Sequence, residues 1–177
     1  LLDGQRGLEV LNFGVSGYGV GQAYLRYQGL PDDLAADTTV LLWVPAADLW
    51  REINTLLSLA GWESYVVVPR FSLEAGSLRH VAPPYSDLAE LPPENLHGLA
   101  PRLRDHLRAH DRLYTPWRHE NRLMSRWSLI SKLVQGHLAP TLEVDTPALL
   151  APGSEALEVT LALISAFRHA VEARGQA

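Results

Sequence analysis

The sequence predicts an α/β fold: a parallel sheet with helices on both faces, plus a β-hairpin set apart from it. Three observations carry this prediction. Leu8–Phe13 and Val40–Val44 are short apolar runs rich in branched and aromatic residues, as strands buried in a sheet require. Gln22–Leu30 lies between them and reads as a helix, which makes a βαβ unit with a right-handed crossover. Farther on, and most clearly over Ser154–Gly175, apolar residues recur at the helical period and mark helices with one buried face.

Composition narrows the class. The chain has 177 residues, enough for one domain with a sizeable core. Hydrophobic residues make up 47% and charged residues 20%, as in soluble globular proteins. The formal net charge of −5 argues against a nucleic-acid partner, which needs a basic face. There is no cysteine, so disulfide and thiolate chemistry are excluded. No apolar run reaches the ~18 residues of a membrane span. The chain opens at Leu1-Leu2-Asp3 and its single methionine is Met124, so a natural start is expected upstream, together with any signal peptide.

In chain order, Leu8–Val15 is the first predicted strand. It runs into Gly14, Gly17, Gly19 and Gly21, a density that marks a sharp turn or a close approach of backbone to another group. A strand, a glycine-rich turn and a helix together form the place where α/β proteins bind negative charge. The same glycines would also serve a plain tight βα turn. Thr38–Val44 is the second strand, continuously apolar from Val40 and expected to be covered on both faces. Asp48 is read as the N-cap of a helix over Leu49–Leu59, whose stripe is Leu49, Trp50, Ile53, Leu56 and Leu57. Tyr65–Leu73 and Leu78–Val81 flank Glu74-Ala75-Gly76-Ser77, so a hairpin is expected over Tyr65–Val81. A proline-rich connector follows, then helices over Leu96–Leu113 and Ser125–Leu138, a loop over Pro140–Pro152, and the long helix of Ser154–Gly175. In that last helix Leu157, Leu161, Ile164, Phe167 and Val171 form the expected buried face, with Ser154 as cap.

The string Asn12-Phe13-Gly14-Val15-Ser16-Gly17-Tyr18-Gly19 resembles the second conserved block of the SGNH (GDSL-type) hydrolases. The resemblance implies a flavodoxin-like parallel sheet and an ester hydrolase, with an O-acetyl group on a sugar or peptidoglycan-like substrate as one class. It places Gly17 at the oxyanion-hole position, where its backbone N–H would face the charge developing on the substrate carbonyl. Pro45-Ala46-Ala47-Asp48 falls where the family's third block carries an Asn-Asp pair, and Ala47 stands in place of the Asn donor. The family's Gly-Asp-Ser nucleophile block and its Asp-x-x-His block are absent from this chain. The resemblance therefore implies a partial SGNH-like domain over residues 1–177 that is inactive by itself. The Ala47 position equally fits a second reading, a non-catalytic binding or scaffold domain derived from the same fold.

Other candidates carry less chemistry. None of the seven histidines follows an aspartate by three residues. His106 and His110 are one helical turn apart but lack a third ligand and a His-Glu-x-x-His context, so no metal site is assigned, and no cofactor. They are read as part of a solvated face with Arg102, Arg104, Arg108 and Arg112. Ser16 has no base near it in sequence and reads as a turn residue. In the resembled strand order, 2-1-3-4-5, the two predicted strands would flank a first strand that this chain lacks. Unpaired backbone groups cost ~1–3 kcal/mol each when buried. Three outcomes are then expected: the two strands pair directly, a second copy fills the gap by self-association, or the chain alone folds poorly.

Overall fold

The computed structural model describes residues 9–32, 34, 36–55, 67–85, 100–114 and 145–177. Among them are five helices and one two-stranded sheet: α1 (Val20–Gln28), α2 (Pro45–Glu52), β1 (Arg70–Glu74), β2 (Ser77–Val81), α3 (Pro101–His110), α4 (Thr146–Leu149) and α5 (Glu155–Ala173). The protein is thus a mixture of helix and strand, and the centre of its core is α5.

Local chemistry sets the start of α5. The Ser154 hydroxyl accepts from the Leu157 N–H at 3.2 Å, and Glu155 and Glu158 occupy the electropositive first turn. Its buried stripe is Ala156, Val159, Thr160, Leu163, Phe167 and Val171. The expected face is corrected at Leu161, which is 53% exposed. Apolar residues occur nearly all round this helix, so more than one stripe satisfies the period. The neighbours choose among them: Val159 and Leu163 meet Val20 and Phe71, and Phe167 meets Tyr27, with ring centroids 4.8 Å apart.

The hairpin forms within its expected span. Glu74 stands opposite Ser77, and the two-residue turn Ala75-Gly76 has φ of 50° and 81°. Both values are left-handed, as the turn that follows the twist of a hairpin requires. Far from being an appendage, the hairpin inserts Phe71 (5% exposed) between α1 and α5.

The two segments expected as parallel strands behave differently. Residues 9–15 and 38–44 are non-helical and form no ladder among the described residues, so the direct pairing considered above does not occur there. The expectation of a strand covered on both faces is corrected for 38–44. Leu41 and Trp43 lean against the core, whereas Val40 is 84% exposed and Leu42 83%. Val10 (65%) and Leu11 (48%) are open in the same way. At one end the segment is tied down: Thr39 N–H donates to the Ala177 carbonyl at 2.8 Å, and Ala177 N–H to that of Asp37 at 3.0 Å.

The second helix begins earlier than expected, at Pro45, whose fixed φ and missing N–H suit a first helical position. Asp48 is therefore not its N-cap. It lies in the first turn and reaches back to accept the Val44 N–H at 2.8 Å. A short helix, α4, occupies the stretch read as a loop, because Asp145 accepts the Ala148 N–H at 3.1 Å and caps it. Residues 56–59 of the predicted second helix, 96–99 ahead of α3 and the whole helix expected over 125–138 lie outside the described residues.

Charged groups join the ends of several elements. Arg70, 3% exposed, donates to the carbonyls of Ile53 (3.0 Å) and His110 (2.6 Å) and pairs with Glu155 at 2.5 Å. One guanidinium thus holds the ends of α2 and α3 against the start of α5. Asp111 accepts the Thr55 N–H at 2.8 Å and the Leu113 N–H at 2.9 Å.

Candidate functional site

The glycine string folds as two unlike halves. In the first, the Asn12 side chain accepts the Gly14 N–H at 2.9 Å, and Tyr18 N–H closes a turn on the Val15 carbonyl at 3.2 Å. Gly17 lies inside that turn with φ of +85°, where a side chain would be strained although nothing lies within 4 Å of its Cβ position. Residues 14–18 are exposed. Among the described residues the Gly17 N–H makes no hydrogen bond. This half presents at the surface a backbone donor that no described residue engages.

The second half is closed. Gly19, Val20 and Gly21 are buried at the start of α1. Against them lies the carboxylate of Glu52, the last residue of α2 and 2% exposed. Gly21 N–H donates to Glu52 Oε1 at 3.2 Å. A Cβ on Gly19 would come within 2.5 Å of Oε1. One on Gly21 would come within 2.9 Å of Oε2 and 3.1 Å of the Phe71 ring. These two glycines exist so that a carboxylate can cap the helix from outside. Burial pushes the Glu52 carboxyl up to about 7, against the pull of the Gly21 and Val20 amides; Asp48 raises it further and Arg70 lowers it. The positive end of α1 is therefore already taken by the protein's own acid.

The other residues singled out by sequence are placed as follows. Ala47 lies in the first turn of α2. Beside it Asp48, 7% exposed, has both oxygens engaged, one by the Val44 N–H and the other by Arg51 at 2.7 Å. Ser16 sits in the exposed turn. His106 and His110 do share a face, with ring centroids 4.9 Å apart. The expectation of a solvated face is corrected for them: they are half-buried, while Arg102 and Arg108 are exposed. Burial, followed by the charges of His110 and Arg70, pushes His106 down to about 4. Among the described residues no group of three or more His, Cys, Asp or Glu side chains is arranged to hold a metal ion. No described helix is long and apolar enough to cross a membrane.

Sequence reasoning missed Glu52. A lone glutamate on an amphipathic helix reads as solvated. The available signal was the pair Gly19 and Gly21 inside a helix start, since two missing side chains imply a close neighbour. Comparison with family models, with characterised proteins and with solved structures finds no match to this chain.

Proposed function

We propose that this chain is the portion of an SGNH-type ester hydrolase that supplies a backbone oxyanion donor, Gly17. The observation that carries the reading is the exposed, left-handed Gly17 turn, at the end of an extended apolar segment, whose N–H no described residue engages. In the proposed reaction a serine hydroxyl from a Gly-Asp-Ser block attacks the ester carbonyl while a histidine takes its proton. The carbonyl oxygen becomes an oxyanion and accepts from Gly17 N–H. Collapse expels the alcohol, and water then releases the acid. The substrate class is a small-molecule or carbohydrate ester such as an O-acetyl sugar.

The corresponding fold is a flavodoxin-like parallel sheet in which residues 9–15 and 38–44 are strands. Two observations support it. Exposure alternates along 38–44, with odd positions against α1 and α5 and even positions open. Ala177 also bonds to the residues on either side of Thr38, donating to Asp37 and accepting from Thr39, which is the spacing of a parallel pair.

The test is nuclear magnetic resonance of the 177-residue chain with methylphosphonate, a small tetrahedral oxyanion. The Gly17 amide is expected to shift on titration and the Gly29 amide to stay. Absence of a Gly17 shift would reject the oxyanion role. Hydrolysis of p-nitrophenyl acetate by the chain is expected to stay at background, because nucleophile and base are missing. A second reading, a non-catalytic binding or scaffold domain, is favoured by Ala47, which offers no side-chain donor where the family has an Asn. A parent sequence with neither a Gly-Asp-Ser nor an Asp-x-x-His block would decide for it.

A further inference from the structure

We propose that Glu52 is the positioning residue of the Gly17 turn, acting through the first turn of α1; this rests on reading Gly17 as an oxyanion donor. The carboxylate does not touch Gly17. It holds what Gly17 is built on. Glu52 Oε1 accepts the Gly21 N–H and lies where a Gly19 side chain would be. Gly19 is the N-cap of α1, its N–H bonded to Gln22 Oε1 at 3.1 Å and its carbonyl accepting Ala23 N–H at 3.1 Å. The next residue back, Tyr18, donates the bond that closes the turn around Gly17. Three residues of backbone, Tyr18 to Val20, thus join a buried acid to an exposed donor, with hydrogen bonds holding them at both ends.

Burial makes this contact specific. Glu52 is 2% exposed, and together with Phe71 of β1 and Leu163 of α5 it crowds the Cβ position of Gly21. The charged groups acting on it are Asp48, one turn back on α2, and Arg70 of β1; α1 faces it with the Gly21 and Val20 amides. Arg51, adjacent on α2, spends its charge on Asp48. Gain or loss of the Glu52 proton therefore falls on the Gly21 and Val20 amides before any other partner. An ionised carboxylate pulls on these donors and a neutral acid releases them in part.

The experiment compares wild type, Glu52→Ala and Glu52→Gln by amide exchange and by pH titration of backbone resonances. Glu52→Ala is expected to speed exchange at Tyr18 and Gly21 about tenfold while leaving the α5 interior amides of Leu163 and Phe167 unchanged, the pattern of a local opening. Glu52→Gln keeps an acceptor and should restore most of that protection. In wild type the Gly17 and Gly21 signals should titrate together with one midpoint, and in Glu52→Gln that titration should vanish. Tyr18 protection unaltered in Glu52→Ala would overturn the proposal, as would a Gly17 titration that persists in Glu52→Gln. Should Glu52→Ala not fold, the Glu52→Gln titration decides alone. Failure of the oxyanion reading shows separately, as a wild-type Gly17 signal that methylphosphonate does not move.

Discussion

Two sides of this molecule invert the ordinary relation between polarity and burial. On the side closed by α2, β1, α3 and α5, Arg70, Glu52 and Asp111 are 3%, 2% and 6% exposed. On the side formed by residues 9–15 and 38–44, Val40 and Leu42 stand more than 80% exposed. The closed side shelters polar groups because each is engaged: Arg70 by two carbonyls and Glu155, Asp111 by two amides, Glu52 by the start of α1. The open side shows apolar groups because no described element covers them. Side-chain chemistry states what a residue needs, and the available partners decide whether it is met. The glycine string crosses the boundary, exposed at Gly17 and wedged at Gly19 and Gly21.

The inversion breaks most severely at Arg70. Arg70→Met removes the cation, takes the guanidinium donor from the His110 carbonyl and leaves the Ile53 carbonyl and Glu155 to Arg112 alone, so a loss of ~3–5 kcal/mol is expected in chemical denaturation. A loss below ~1 kcal/mol would show that the closed side does not depend on this hub.

The glycine string gives a sharper internal contrast. Gly21→Ala forces a methyl against Glu52, the Phe71 ring and Leu163, with an expected cost of ~2–3 kcal/mol. Gly17→Ala meets open space and loses only the left-handed freedom, about 1 kcal/mol. Equal costs would mean that the two halves are not distinct.

The pH dependence of stability separates two opposed groups. Glu52 titrates near 7 when folded and 4.5 when unfolded, so the folded protein holds that proton more tightly. Its contribution is fully present below 4.5 and is lost as pH rises through about 7, by at most about 3 kcal/mol. His106 runs the other way: its folded value near 4 lies below 6.5, so its contribution is present above 6.5 and lost as pH falls towards 4. The two offset each other between these limits. Thermal melts of Glu52→Gln should therefore show stability rising with pH up to about 6.5, and at pH 8 this variant should exceed wild type by ~1–2 kcal/mol. Parallel pH profiles for the two proteins would rule out a buried, proton-holding Glu52.

The smallest effect on folding is expected on the open side. Leu42→Lys changes a residue already 83% exposed, so stability should move by no more than ~0.5 kcal/mol. Sedimentation across a concentration series is the informative measurement. If open strand edges drive self-association, the variant should stay monomeric at concentrations where wild type does not.

Some of this was written locally. Ser154 three residues before Leu157 is a capping pattern, and Ala75-Gly76 between two β-prone runs is a hairpin turn; both form as read, because each needs only its own neighbours. Pro45 carried the true start of α2, a local signal that the apolar stripe beginning at Leu49 obscured. Within the site, the sequence pointed to the Gly17 turn but not to Glu52, 31 positions beyond Gly21 along the chain.

By itself, then, the sequence determined the helical character of α1, α3 and α5, the Ser154 cap and the place where the hairpin turns, since these rest on bonds between residues a few positions apart. Tertiary structure alone decided that Leu161 faces out, that Val40 and Leu42 stand open, and that the start of α1 is capped by Glu52. Periodicity fixes that a helix or strand has faces. Which face is buried, and which charge is sheltered, depends on what distant segments bring to it.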